Sequence, residues 1–365
     1  MNDEDKLNAI RLISTPQIGP ITYSLLIARF GSPTQAVLRA PELAKRRGRT
    51  LRLLSKQEAL SLQKRAADAG VTLLIKGAED YPQRLLTFDD APVLLYAKGH
   101  LSLLQKNMLA IVGARNASLN AMTLTSQWAK DIGKEGIVVV SGLARGIDRA
   151  AHIGSLTTGT IGISGCGIDV VYPQENQDLY DELSLSGLIL CEAPLGTKPS
   201  PRQFPARNRI IASLAQAVLV IEAAKGSGSL ITAREVAERG GEVLVIPGHP
   251  ADQRSLGGNQ LIKDGAHLVN NVEDVLTILE KPLGEPITLR PSLSDEKMND
   301  IDDEVIKNLA DEILNFMTFE AVHIDELTQQ CHVSAKVIQI ALLELELAGH
   351  IERLSGNKVC KLLNS

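Results

Sequence analysis

Two stretches, LAIVGARNASLNA (residues 109–121) and GIVVVSGLARGIDRAAHIGS (residues 136–155), decide how this chain folds. In the first, Leu109 to Val112 is a short apolar, β-branched run of the kind that suits a strand buried on both faces. It stops at Gly113, and the chain resumes at Ser118 with helical spacing of Leu119, Met122, Trp128 and Ile132. The second repeats the plan: Ile137 to Val140 as strand, Ser141 to Gly146 as turn, and a helix from about Ile147 to Ile153. Each turn carries glycine and arginine and opens a helix. Unpaired backbone N–H groups and the positive end of the helix dipole favour an anion there, and a guanidinium adds a planar fork of donors. Glycine in such turns also serves plain backbone packing, so one turn alone would decide nothing. Two in succession, each with an arginine, favour anion binding. Neither matches the spaced-glycine dinucleotide fingerprint or a Walker A loop, which speaks against a nicotinamide cofactor and ATP hydrolysis.

Outward from these units the alternation continues. Strands are expected at Val71 to Ile75, Val93 to Tyr96, Thr160 to Ser164, Leu188 to Cys191, Ala217 to Ile221, Glu242 to Ile246 and near His267 to Val269, most of them separated by helices. The pattern predicts an α/β domain over residues 71–282, a doubly wound and mostly parallel sheet with ligands outside the strands' carboxyl ends. Three further turns fall at that edge. KPSPRQFPARNR (residues 198–209) packs four cations into twelve residues with no acid. Its prolines restrict the backbone, although Arg207 or Arg209 pairing inside the fold with Glu192 or Glu222 is an equal alternative for one of the two. EAAKGSGSLIT (residues 222–232) follows an apolar strand and opens a helix with Gly226, Gly228 and three hydroxyls. The third holds His249, Arg254 and Lys263; a lone histidine in a Gly-Pro turn reads as an ordinary loop residue. The candidate phosphate-binding set is therefore Gly113, Arg115, Ser141, Gly142, Arg145, Gly146, Phe204, Arg207, Asn208, Arg209, Lys225, Ser227, Gly228, Ser229, Thr232 and Lys263.

Residues 1–70 read as a small helical domain broken at Ile18-Gly19-Pro20 and Gly31-Ser32-Pro33. The first break is similar to a helix-hairpin-helix turn, but Gly-Pro also simply ends helices. The basic group Lys45, Arg46, Arg47, Arg49 and Arg52 reads first as a solvated face and second as a nucleic-acid contact. Residues 283–302, rich in proline and polar residues without periodicity, read as a linker. Beyond it, three helices and a hairpin make a winged-helix module over 303–365. Its would-be recognition helix, Ser334 to Ala348, carries only Lys336 as a base and ends near Glu344 and Glu346, so protein contact suits it better than a DNA groove.

Net charge follows this division. The chain of 365 residues carries a formal −5, but residues 283–365 hold 15 acids against 7 bases, leaving 31 bases and 28 acids in residues 1–282. From Ala91 to Lys130 there is no acidic residue, which marks a positively polarised face. Cys166, Cys191, Cys331 and Cys360 are widely separated with no paired ligand spacing, as in a reduced protein without structural zinc, and metal chemistry is not expected. An acidic N-terminus and the absence of any membrane-length apolar run point to the cytoplasm.

The residues quoted above, with GCGIDVVYPQEN (165–176), FPARNRIIASLAQAVLVIEA (204–223), SGSLITA (227–233) and VLVIPG (243–248), resemble the DNA-processing protein A family (DprA, also called Smf) over nearly the whole length. The resemblance implies an extended Rossmann-like domain between an N-terminal domain similar to sterile-alpha-motif folds and a C-terminal winged helix. It also implies a cytoplasmic homodimer that binds single-stranded DNA, protects it, and loads the RecA recombinase during natural transformation, without cofactor or catalysis. By position, the family's Gly-Ser-Arg turn is Gly113-Ala114-Arg115, its SGLARGID turn is Ser141 to Asp148, and its FPxRNR element is Phe204 to Arg209. Ala114 and Gly226 depart from residues that relatives use there, each removing a phosphate contact. The alternatives are a Rossmann-like nucleotide or phosphoribosyl hydrolase, whose Gly-Gly-x-Gly-Thr signature is not reproduced, and a transcription factor, disfavoured by the acidic tail. Aromatic residues are 3% of the chain, so base stacking has little to draw on beyond Phe204 or a nearby tyrosine.

Overall fold

The computed structural model describes residues 1–280, 303–354 and 356–362; the expected linker at 283–302 lies outside them. The described residues divide into two compact units, one of residues 64–76 and 80–280, the other of 1–63, 77–79 and the described residues from 303 on. The two ends of the chain, separate in the sequence, thus form one unit.

That unit begins with α1 (Asp3–Ile13), α2 (Pro20–Phe30), α3 (Pro33–Arg46) and the start of α4 (Lys56–Asp68). The helix boundaries follow local chemistry. Asn2 caps α1 by accepting from Asp5 N at 2.8 Å, and Ser32 caps α3 in the same way. At the Ile18-Gly19-Pro20 break, Gly19 is the N-cap of α2 and Pro20 takes the first helical position, where a missing N–H costs no bond.

The other unit is a nine-stranded sheet: β1 (Thr72–Ile75), β2 (Leu94–Gly99), β3 (Met108–Gly113), β4 (Val138–Gly142), β5 (Thr160–Ile163), β6 (Leu188–Cys191), β7 (Ala217–Ile221), β8 (Glu242–Val245) and β9 (His267–Leu268). Its order is β1-β2-β6-β5-β4-β3-β7-β8-β9. Only β2 runs against the rest. The chain builds outward from β3 to β6, then returns to place β7 on the other side of β3, with Leu109 opposite Ala217 and Gly113 opposite Ile221. The order therefore reverses between β3 and β7, the point at which doubly wound sheets open a crevice. The connecting helices are α5 (Leu119–Lys134), α6 (Ile147–Ser155), α7 (Gln177–Ser186), α8 (Gln203–Leu214), α9 (Gly228–Glu238), α10 (Leu256–Lys263) and α11 (Val272–Leu279).

Continuous apolar strands make two cores. Ala110 and Val112 of β3 face one way, with Val218 and Val220, onto Ile210, Ile211, Ala233 and Val236 of α8 and α9. Leu109 and Ile111 face the other way, onto Trp128 and Ile132 of α5 and Ile147 and Ala151 of α6. Every residue of β4 and β7 is buried, as expected of central strands covered on both sides.

The winged-helix module comprises α12 (Asp303–Phe316), β10 (Val322–His323), α13 (Ile324–Gln330), α14 (Ala335–Leu347), β11 (Ile351–Leu354) and β12 (Lys358–Lys361). Its three-stranded sheet, in the order β10-β12-β11, adds a short strand to the expected hairpin. No described helix is long and apolar enough to cross a membrane.

Candidate functional site

The turns at the carboxyl edge meet in strand order, and packing decides what each exposes. At the end of β3, a Cβ on Gly113 would collide with the Ile221 carbonyl and the Ile147 side chain, so only glycine lets these elements close together. Arg115 then emerges exposed, its guanidinium 5.7 Å from the centre of the Phe204 ring. The start of α5, however, is already occupied. Ser118 caps it by accepting from Ala121 N at 3.1 Å, and Glu222 from the turn after β7 accepts from Ser118 N at 2.8 Å and from Ser118 Oγ at 2.6 Å. Glu222 holds a left-handed φ of 49° to reach it, a conformation that these bonds offset. The anion at this helix start is the protein's own carboxylate, which corrects the expectation of a phosphate seat there.

After β4, Ser141 is buried and its hydroxyl donates to Ile111 O at 2.6 Å; it holds two strands together and does not face the edge. Gly142 is also buried, because the Arg207 guanidinium and the Asp148 carboxylate fill the space a Cβ would need. Arg145 is exposed, 3.6 Å from an equally exposed Glu175. Gly146, at φ 76°, caps α6, and a Cβ on it would strike the carbonyls of Ala114 and Arg115. Ile147 N donates to Ala114 O at 3.2 Å, so the two glycine turns interlock and set Arg115 and Arg145 side by side in the fold.

Phe204 and Arg207 come from the first turns of α8. Phe204 packs against the exposed Tyr172 ring, centroids 5.5 Å apart and planes tilted by 36°. Arg207 is buried beneath, donating to Ile163 O at 2.7 Å. Burial pushes the Asp148 carboxyl above its usual range while the facing Arg207 draws it back; the same burial lowers the Arg207 pKa while Asp148 raises it. Behind them His152 is buried between Gly142 O, 2.8 Å from Nε2, and Thr160 Oγ1, 2.7 Å from Nδ1. Desolvation lowers its pKa to about 4, so it is neutral, and with a carbonyl at Nε2 that nitrogen carries the proton. Arg209 is turned inward, paired with the Glu192 carboxylate and donating to Asp90 O, the internal alternative raised from the sequence. Asn208 is half-buried.

Lys225 is exposed after β7, followed by Gly226 at φ 76°. Ser227 is the N-cap of α9 but makes no side-chain cap bond; its hydroxyl lies 2.8 Å from Ser229 Oγ. Gly228 is exposed, and Ser229 and Thr232 are buried in the first turns. Unlike α5, α9 begins, among the described residues, with no carboxylate bonded to its cap. Arg254 pairs with Asp252 at 2.8 Å. Lys263 is elsewhere: it ends α10, and β9, which starts at His267, runs parallel to β8, so Lys263 lies toward the strands' amino ends.

Arg115, Arg145, Tyr172 and Phe204 thus surround one cleft, with Leu143, Ile163, Cys166 and Arg207 beneath. Exposed guanidiniums beside a tilted aromatic pair can hold phosphates and present a ring face to a planar base. Tyr172 was legible only as part of the GIDVVYPQEN stretch, and Glu222 as a helix cap was not read from the sequence.

Comparison with known proteins gives the chain's relatives. The family model for DNA recombination-mediator protein A matches residues 72–280, that for the DprA winged helix domain 306–357, and that for the DprA-like N-terminal HHH domain 3–61. The chain is 44% identical over 202 residues to DNA processing protein DprA of Streptococcus pneumoniae, covering 55% of this chain and 71% of that protein. It is 34% identical over 290 residues to Protein Smf of Escherichia coli, covering 79% and 76%. Among solved structures, DNA processing protein A of S. pneumoniae superposes with a TM-score of 0.56 at 34% identity, covering 70% of this chain and 95% of that one. DNA processing protein A of Helicobacter pylori, described for its single-stranded DNA binding mode, gives 0.54 at 30%, covering 59% and 97%.

Proposed function

The chain belongs to the DNA recombination-mediator protein A (DprA) family, and on that footing we propose that it binds single-stranded DNA along the carboxyl edge of its large sheet without reading base sequence. The observation that carries this is the gathering of Arg115 and Arg145 with the Tyr172–Phe204 pair at one cleft. Phosphates are met by Arg115, Arg145 and, one turn further along, Lys225 with the start of α9. A base lies against Tyr172 or Phe204, a contact worth ~1 to 3 kcal/mol. Gly113, Gly142 and Gly146 let the turns close; Arg207, on Asp148, forms the floor. Asn208, Ser227, Gly228, Ser229 and Thr232 border this path. Ser141 and Arg209 act inside the fold, and Lys263 is outside the path. A single strand suits the cleft because its bases are free to stack. The relative from H. pylori, described for single-stranded DNA binding, supports the reading. As part of the same proposal, the protein works in the cytoplasm as a homodimer that hands the coated strand to RecA during natural transformation.

The test is fluorescence anisotropy with a labelled oligonucleotide over a range of salt concentration. With three cations on phosphates, log Kd should rise with log salt with a slope of about 2, roughly 0.7 per phosphate on a single strand. Duplex of the same sequence should bind more weakly. Salt-independent binding, or equal affinity for duplex, overturns the mechanism. RecA filament growth on the same strand, followed with and without the protein, tests the delivery step.

A further inference from the structure

In the unit built from the two chain ends, the third helix of the winged-helix module is covered on all sides beyond its first turn. Every residue from Ile338 to Leu347 is buried, including Gln339, Glu344 and Glu346. One side, with Ile338, Ala341, Leu342 and Leu345, forms the module's own core with α12 and α13. The other side packs on α2 and α3. Leu343 and Leu347, 0% and 2% exposed, fall outside the module's core cluster, and the acidic pair lies beside them.

The contact is built around charge. Glu344 receives three guanidiniums from the N-terminal helices and the residue after them: Arg29 and Arg46 at 3.8 Å from Oε1, and Arg47 at 3.6 Å from Oε2. Arg47 also reaches α12, pairing with Asp311 at 2.7 Å and donating to Lys307 O at 3.0 Å. Glu346 accepts from Thr22 of α2 at 2.6 Å and pairs with Arg353 of the module at 3.0 Å. Carboxylates taken out of water are stable only with such partners. The acids that disqualify α14 as a groove reader are the ones the N-terminal arginines receive.

We propose that α14 is a protein-binding element whose partner is this chain's own N-terminal helical bundle. The winged helix is an intrachain clamp on residues 1–63, keyed by Glu344 to Arg29, Arg46 and Arg47.

The test places a protease recognition sequence after Pro291 of the full chain, cleaves it, and follows the tail by size exclusion at micromolar concentration and moderate salt. The tail is expected to co-elute with the rest of the chain, because buried pairs are screened little. Glu344→Lys should lower the co-eluting fraction at least tenfold. Arg47→Ala, which removes the α12 contacts as well without adding a buried charge, should also lower it, with circular dichroism confirming that both variants stay helical. A wild-type tail that separates after cleavage overturns the proposal, as does a tail displaced by duplex oligonucleotide. So does a tail recovered, in a mixture of tagged and untagged protein, only on a second copy.

Discussion

Arg115 and Arg145 stand at the sheet edge with their guanidiniums in solvent, whereas Arg29, Arg47 and Arg353, in the unit made from the chain ends, are closed over Glu344 and Glu346. Arg115, Arg145, Arg29 and Arg47 all lie on or next to helices and turns, and Arg353 lies in a short edge strand, so local sequence does not separate the sets. What separates them is whether the fold sets a carboxylate opposite. Where it does, the charge is balanced inside the protein and its removal costs stability. Where it does not, or where the partner is as exposed as Glu175, the charge is available to a polyanion. The same division cuts through the sheet unit itself, for Arg207 and Arg209 belong with the closed set although they share a short motif with Phe204.

The sharpest way to break this comparison is Arg207→Ala. Removing one side of a buried opposite-charge pair costs about 3–5 kcal/mol, because Asp148 stays in the interior without its counter-charge. As a phosphate contact, one of the two sequence readings, Arg207 would cost only DNA binding when removed; its burial puts the cost on stability instead. Urea unfolding of Arg207→Ala and of Arg207→Ala with Asp148→Asn should show a large loss and partial recovery. An unchanged midpoint in the single variant would return Arg207 to the open set.

His152 tests the packing beneath the same turn. Its folded pKa of about 4 lies below the ordinary histidine value of 6.5, so between these limits the unfolded chain binds more protons. Stability contributed by neutral His152 is complete above pH 6.5 and is lost as pH falls toward 4, on the order of 3 kcal/mol in all. Asp148, shifted upward, acts in the opposite sense: its contribution falls as pH rises through the acid range. The measurement is therefore the difference between wild type and His152→Asn across pH 4 to 7.5. A difference that does not change with pH would mean that the imidazole titrates in the fold as it does in water.

Of the open set, Arg115→Ala should weaken single-strand binding by about 1.5–3 kcal/mol, tenfold or more, the worth of a hydrogen bond to a charged group, with no change in the melting temperature. Arg145→Ala should cost less, since Glu175 competes for the guanidinium before DNA arrives. Equal losses, or a melting temperature that drops with either, would show that the exposed and closed sets differ less than their burial indicates.

The sheet was legible because its strands are covered on both faces and so read as continuous apolar runs closed by glycine, from Val138 to Gly142 and again from Ala217 to Ile221. The turns at the edge were legible for the same reason. Which arginines reach solvent was not. Ser118 and Glu222 meet across 104 positions and Arg209 and Glu192 across 17, and no local pattern announces either pairing. In the run from Lys45 to Arg52, read as a solvated face or a nucleic-acid contact, Arg46 and Arg47 pair instead with Glu344, some three hundred positions away. The acidity of α14 was visible in the sequence, but the arginines that face it were not.

Lys263 gives the smallest expected effect and the cleanest check on where the boundary of the open set lies. From the sequence it belongs with the phosphate contacts, since it follows a glycine-rich turn at the sheet edge. The helix that begins at that turn, α10, carries it away: eight residues at 1.5 Å per residue span about 12 Å, and the chain then enters β9 at its amino end. Exposure is not the discriminating property here, because Lys263 and Lys225 are both exposed. Position relative to the strand ends is. Lys263→Ala should therefore leave both affinity and salt slope unchanged, while Lys225→Ala lowers the slope by about 0.7. A matching drop at Lys263 would require the strand to pass over the end of the sheet to its far side, and the carboxyl edge would then be only one segment of a longer path.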